Sequence, residues 1–137
     1  MRFLARLGPA AAAMALAAAF SVSSARAADV VCGSAVSSCV LKTSGGNLLG
    51  IYANCTSACW VMLFNAVAAP SNGATTAGKL SGNMIDCFPV AAGGANSLTY
   101  YDISQVDFSV GITAAISSTA CATLTLSAVG FVHGTVR

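Results

Sequence analysis

Six cysteines carry most of the chemistry available to this chain: Cys32, Cys39, Cys55, Cys59, Cys87 and Cys121. Structural zinc takes four thiolate or imidazole ligands, usually as two close pairs, and Cys32-x6-Cys39 and Cys55-x3-Cys59 are poor matches to that spacing. A redox pair needs Cys-x2-Cys at a helix start, where the thiolate is stabilised. Neither the spacing nor a helix is present, so no metal and no cofactor is expected. An even number of cysteines in a small exported domain reads instead as a disulfide set. Six cysteines allow about fifteen complete pairings, and spacing does not choose among them. The set we favour is Cys32 with Cys39, Cys55 with Cys59, and Cys87 with Cys121. In the chain-entropy account, closing the Cys55–Cys59 loop is worth about 2 kcal/mol and the Cys87–Cys121 loop about 3.8 kcal/mol.

The other reactive side chains are sparse. His133 is the single histidine. A hydrolytic triad would set it beside a serine and an aspartate, but it stands near the end of the last apolar stretch, and no G-x-S-x-G elbow occurs. Asp102 and Asp107 could do acid–base work on a glycoside; Asp102 fits better in a turn, Tyr101-Asp102-Ile103-Ser104. No enzyme is expected. Tyr52, Trp60, Tyr100 and Tyr101 could supply an aromatic ligand platform, although buried aromatics are the commoner use of such residues. Asn54-Cys55-Thr56 matches the N-x-[ST] acceptor triplet. The alanine-rich leader is of bacterial type, so the triplet carries no weight.

That leader occupies residues 1–27. Arg2 and Arg6 open it, an apolar run from Leu7 to about Val22 follows, and Ala25-Arg26-Ala27 supplies small residues at −3 and −1 of a cut after Ala27. These are the three parts of a secretory signal, and the run is too short to span a bilayer. Cleavage would leave residues 28–137 as one domain, periplasmic or extracellular, with no membrane span. Lys42, Lys79 and Arg137 then face Asp29, Asp86, Asp102 and Asp107, a net charge near −1. No basic patch remains to hold a nucleic-acid backbone. So little charge leaves copies of the chain weakly repelled, which favours association.

The elements that must position these residues are strands. After residue 27 no apolar stripe of helical period occurs, and short apolar runs are separated by turn signals. Leu48 to Ala53 and Cys59 to Asn65 read as strands joined in a hairpin across 54–58. Residues 28–46 read as a polar lead-in holding only the short apolar piece Cys39-Val40-Leu41. Asn83 to Val90 is a strand whose Pro89 implies an edge, and Ser97 to Tyr101 is another. Phe108 to Ile116 alternates as a strand buried on one face. Residues 123–128 repeat that alternation, with a bulge expected near Gly130. About seven strands imply an all-β, antiparallel, disulfide-stapled sandwich, jelly-roll or immunoglobulin-like. The run Trp60-Val61-Met62-Leu63-Phe64 is apolar on both faces. It is either a central strand covered within the fold, or a strand whose Trp60, Met62 and Phe64 face a partner or ligand, with Tyr100 and Tyr101 as further interface residues.

From Gly46 the motifs run in a familiar order: Gly46-Asn47-Leu48-Leu49-Gly50-Ile51-Tyr52-Ala53, then Val61-Met62-Leu63-Phe64-Asn65-Ala66, then Ala68-Ala69-Pro70-Ser71-Asn72-Gly73. Cys87-Phe88-Pro89-Val90, Phe108-Ser109-Val110-Gly111-Ile112 and Ser117-Ser118-Thr119-Ala120-Cys121 follow. Over roughly residues 46–133 this resembles a group of small β-sandwich proteins of bacteriophage and prophage-rich genomes, virion or tail-associated structural components. In that group a cysteine pair falls near Cys87 and Cys121, so the resemblance implies that pairing. The leader and the four further cysteines depart from the group and imply use outside the cell. The functional expectation is an exported, non-enzymatic structural or surface-assembly domain. It would associate with itself or with other surface or virion proteins. The alternative is a secreted binding module for a glycan or small apolar ligand.

Overall fold

The computed structural model describes residues 26–75, 83–100 and 106–137. Nine strands form among them: β1 Ala28–Val36, β2 Ser38–Lys42, β3 Gly46–Cys55, β4 Cys59–Asn65, β5 Met84–Val90, β6 Gly94–Thr99, β7 Val106–Phe108, β8 Ile112–Ser117 and β9 Gly130–Val136. They make two antiparallel sheets. A front sheet runs β1-β9-β3-β6, with β7 beside the first residues of β3, and a back sheet runs β2-β8-β4-β5.

The pairing is nested. β4 pairs with β5, β3 with β6, β2 with β8 and β1 with β9. This is one antiparallel double ribbon, folded back at the β4–β5 connection. Rolling it up adds two closing pairs, β3 with β9 and β4 with β8. Eight strands rolled in this way are a jelly roll, with β7 as an addition; the immunoglobulin-like arrangement divides its strands otherwise.

Several sequence expectations change with this topology. The hairpin across 54–58 does not form, because β3 lies in the front sheet and β4 in the back one. Both strands are apolar on the face toward the other sheet, so the corner lets them stack face to face instead of pairing edge to edge. The lead-in 28–46 contains two strands, β1 and β2; their apolar residues (Val30, Cys32, Cys39, Leu41) are too few to announce themselves, yet they pack on the core. The alternating run 108–116 is broken. Phe108 ends β7, Val110 is 52% exposed, and β8 is buried on both faces along its whole length. Residues 123–128 make only isolated bridges, and the last strand starts at Gly130. The bulge expected near Gly130 is present, with its extra residues on the partner strand: Cys32 pairs with Val132 and Val36 with Gly130, so Ala35, at φ 60°, lies in the bulged stretch of β1 beside Gly130. A Cβ on Gly130 would collide with the Asn54 carbonyl of β3, so glycine lets the two strands close.

The main core lies between the sheets. Leu48, Ile51 and Ala53 of β3 and Val132 and Val136 of β9 face Val61 and Leu63 of β4, Ile112, Ala114 and Ile116 of β8, and Phe88 and Val90 of β5. A second apolar cluster sits on the outside of the back sheet. There Met62 and Phe64 of β4 and Ala115 of β8 are fully buried under Ala74 and Leu124. The cover is two chain segments, 66–75 and 118–128, held to each other by Leu124 N–H to the Ala74 carbonyl (2.8 Å) and Gly73 N–H to the Leu124 carbonyl (2.8 Å). Two buried β8 hydroxyls anchor it. Thr113 Oγ1 donates to the Ala66 carbonyl (2.7 Å), and Ser117 Oγ accepts from the Thr125 N–H (2.9 Å). Each buried hydroxyl thereby has a partner, as burial requires.

Three disulfides join these layers. Cys32–Cys39 ties β1 to β2, Cys55–Cys59 ties β3 to β4, and Cys87–Cys121 ties β5 to the cover. The first two bonds each cross from front sheet to back sheet. These are the three pairs favoured above, and their Cα atoms stand 5.9, 6.3 and 5.9 Å apart. Three such bonds suit an oxidising compartment.

Candidate functional site

Strand alternation sends every second residue of the front sheet outward. The ladder then aligns those residues in rows. Val31 of β1 pairs with His133 of β9, His133 with Tyr52 of β3, and Tyr52 with Ser97 of β6. One row along, Asp29 pairs with Thr135, Thr135 with Gly50, and Gly50 with Thr99. Gly50 has no side chain, so the second row has a gap in its middle. The gap is a shallow groove of about 180 Å³, walled by Tyr52, His133, Thr135, Ser97 and Thr99.

Three of these side chains interact. Thr135 Oγ1 donates to Asp29 Oδ1 at 2.6 Å, and His133 Nε2 stands 3.5 Å from the same oxygen. The Thr135 hydrogen bond holds the Asp29 carboxyl below the ordinary carboxylate range, against the opposing effect of desolvation and with further help from His133. His133 Nε2 is itself buried and has no hydrogen-bond partner. Tyr52 is 37% exposed and lies tilted beside Phe131, ring centres 5.6 Å apart. The order of contacts is wrong for a nucleophilic triad. Such a triad needs hydroxyl bonded to imidazole and imidazole to carboxylate, whereas here the hydroxyl proton is directed at the carboxylate.

The residues singled out from the sequence are dispersed. Met62 and Phe64 are fully buried beneath the cover of the same chain, which corrects the reading of them as an exposed interface. The physical reason is that segments 66–75 and 118–128 supply the apolar atoms expected of a partner. Trp60, on the same face, escapes the cover. It lines a groove of about 510 Å³ with Ala58, Pro89, Ala91 and Ala95 at one end of the back sheet. Tyr100 is not beside it. Its ring packs on the inter-sheet core and its hydroxyl donates to Asp86 Oδ2 at 2.8 Å. Burial first, then that hydrogen bond and the Asp86 charge, push the Tyr100 phenol well above its ordinary value. Tyr101 and Asp102 lie outside the described residues. Asp107, on β7, accepts a hydrogen bond from the Asn47 amide.

A third groove, of about 410 Å³, lies where β2 meets the ends of β1 and β9. Arg26, Lys42 and Arg137, the basic residues among those described, all line it. All six cysteines are in disulfides, so the thiolates that a zinc site would need are already used.

The sequence alone marks no site at Asp29, Thr135 or Gly50. They are 106 and 85 positions apart, and only the pairing of β1 and β3 with β9 brings them together. The one available signal was the alternation of β9, which places His133 and Thr135 on one face. The chain matches no protein-family model, no curated protein and no solved structure.

Proposed function

We propose that this chain is an exported, non-enzymatic structural domain that assembles with copies of itself or with other surface or virion proteins. The observation that carries this reading is a sheet edge without charge, proline or bulge, its Ser97 N–H held by the Asn96 side chain at 2.8 Å. Edge strands are normally protected by charge, proline or bulges. β1 carries Asp29 and a bulge, β2 carries Lys42 and a register shift, and β5 carries Asp86, Pro89 and a register shift. β6, Gly-Ala-Asn-Ser-Leu-Thr, has none of these and pairs with β3 without irregularity. An edge of this kind accepts a strand from another molecule. The scarcity of charge, the resemblance to phage-type structural proteins and the leader expected before β1 support the same reading. Light scattering and electron microscopy of the oxidised domain test it. Oligomers, filaments or a lattice are expected, and Ser97→Pro on β6 should weaken them. A strict monomer at high concentration overturns it.

A second reading, a secreted binding module for a glycan or small apolar ligand, is favoured by the aromatic-walled grooves at Trp60 and at Tyr52.

A further inference from the structure

We propose that the groove over Gly50 on the front sheet binds one ring of a neutral glycan, with Tyr52 as the stacking surface. This rests on the binding-module reading and assigns its site and ligand class. The chemistry of the walls selects the ligand. The exposed ring of Tyr52, with the tilted Phe131 ring packed beside it, offers one apolar face, which suits the C–H face of a pyranose. Around it stand the hydroxyls of Ser97, Thr99 and Thr135 and the Asp29–His133 pair. A carboxylate accepts hydrogen bonds from sugar hydroxyls, and hydroxyl side chains both give and accept them. The His133 ring lines the groove, while its Nε2 is buried and turned to Asp29, 3.5 Å away.

Charge excludes other ligands. The described basic residues line a different groove, at β2 and the ends of β1 and β9. No lysine or arginine lines this groove, and the Asp29 carboxylate stands just behind His133 and Thr135, so a phosphate or a sulfated sugar would find no fixed cation here. Size narrows the choice further. About 180 Å³ is small beside the ~300–1,000 Å³ of pockets that enclose drug-sized ligands. A shallow depression in an open sheet holds one ring and leaves a chain free to continue on both sides.

Glycine is what makes the depression, and this gives the cleanest test. A Cβ at Gly50 would meet only the Leu98 carbonyl oxygen, at 3.5 Å, an ordinary contact. Gly50→Val therefore fills the groove and leaves the fold intact. The oxidised domain is applied to an array of neutral gluco-, manno-, galacto- and N-acetylhexosamine oligosaccharides, and hits are titrated calorimetrically. Binding to at least one neutral series is expected, weakened about tenfold by Tyr52→Ala, the loss of one aromatic stacking contact. Gly50→Val should abolish it with an unchanged melting temperature, while Trp60→Phe leaves it intact. Silence across the array overturns the proposal. So does binding that survives Gly50→Val, or a Gly50→Val effect confined to dissolving oligomers, which would make the face an interface between copies. Binding lost in Trp60→Phe alone overturns the site assignment while keeping the binding-module reading.

Discussion

Removing the Cys87–Cys121 bond should cost more stability than removing either other disulfide. The loops closed by the three bonds span 7, 4 and 34 positions, and none contains another. Each bond therefore restricts its own part of the unfolded chain. Chain-entropy arithmetic gives about 2.3, 1.9 and 3.8 kcal/mol in that order. Together they amount to about 8 kcal/mol, within the ~5–15 kcal/mol that an ordinary domain has in total. The long loop has a second consequence. Cys121 sits in the cover segment that shields Met62 and Phe64, and exposing one such side chain costs about 1.5–3 kcal/mol.

The assay is urea unfolding of Cys87→Ala/Cys121→Ala beside Cys55→Ala/Cys59→Ala, followed through Trp60 fluorescence. With a slope of about 1.5 kcal/mol per molar, the first variant's midpoint should fall by about 2.5 M and the second's by about 1.3 M. The first should also bind a hydrophobic dye under native conditions, as the cover loosens over the back sheet. The reasoning fails if the Cys55/Cys59 variant is the less stable of the two, or if the Cys87/Cys121 variant binds no more dye than the parent.

Three further outcomes follow from the same structure. Gly130→Ala drives a Cβ into the Asn54 carbonyl at the start of β9, and overpacking of that kind costs about 1–3 kcal/mol; a calorimetric melting temperature unchanged from the parent would contradict it. Tyr100→Phe removes the hydrogen bond to Asp86 that ties the residue following β6 to β5 and should cost about 1–2 kcal/mol at neutral pH. Because the folded Tyr100 phenol is raised above its ordinary value of 10.0, its contribution is complete below pH 10.0 and is lost as pH rises. The parent should weaken in alkali more than Tyr100→Phe does, with denaturant titrations at stepped pH as the check. Asp29 titrates below the ordinary carboxylate range chiefly because Thr135 donates to it. The stabilisation is thus present above the unfolded carboxylate value and fades as pH falls. Carbon-detected NMR should show the Asp29 titration moving upward in Thr135→Val, and an identical curve in both proteins would refute the assignment.

The all-β class was legible because period-two patterning and turn residues are local signals. Pro89 likewise marked β5 as an edge strand, since proline cannot donate to a ladder. What stayed hidden was non-local. The alternation of β8 reads as one buried face, but its small and polar residues Thr113, Ala115 and Ser117 are buried too, under the cover, and the apparent rhythm through Val110 crosses a break between two sheets. The two-faced run at Trp60–Phe64 was correctly seen as unusual. Its cover is built around Leu124 and Ala74; the alternation of 123–128 was legible but reads as a ladder strand, whereas the segment makes only isolated bridges and lies over the back sheet. The front-sheet groove was invisible for a related reason. Asp29 and Thr135 become neighbours only when the first strand pairs with the last.

The nested ribbon also explains where the covalent bonds are needed. Ladder hydrogen bonds run within each sheet and fix pairing there, but nothing in a ladder holds one sheet against the other. Along the first half of the ribbon, the chain passes from front sheet to back between β1 and β2 and between β3 and β4. A disulfide spans each of those two corners. On the returning half, the corner from β5 to β6 carries hydrogen bonds instead: Tyr100 to Asp86 at 2.8 Å, and the Asn96 amide to the Pro89 carbonyl at 2.8 Å. β5 itself is tied outward, through Cys87, to the cover. The front sheet, back sheet and cover are thus linked in series by bonds that do not depend on apolar contact alone. A domain with seven charged residues after position 27 has little electrostatic means of fixing its layers, and local covalent closures supply that constraint without altering the pairing order of the strands.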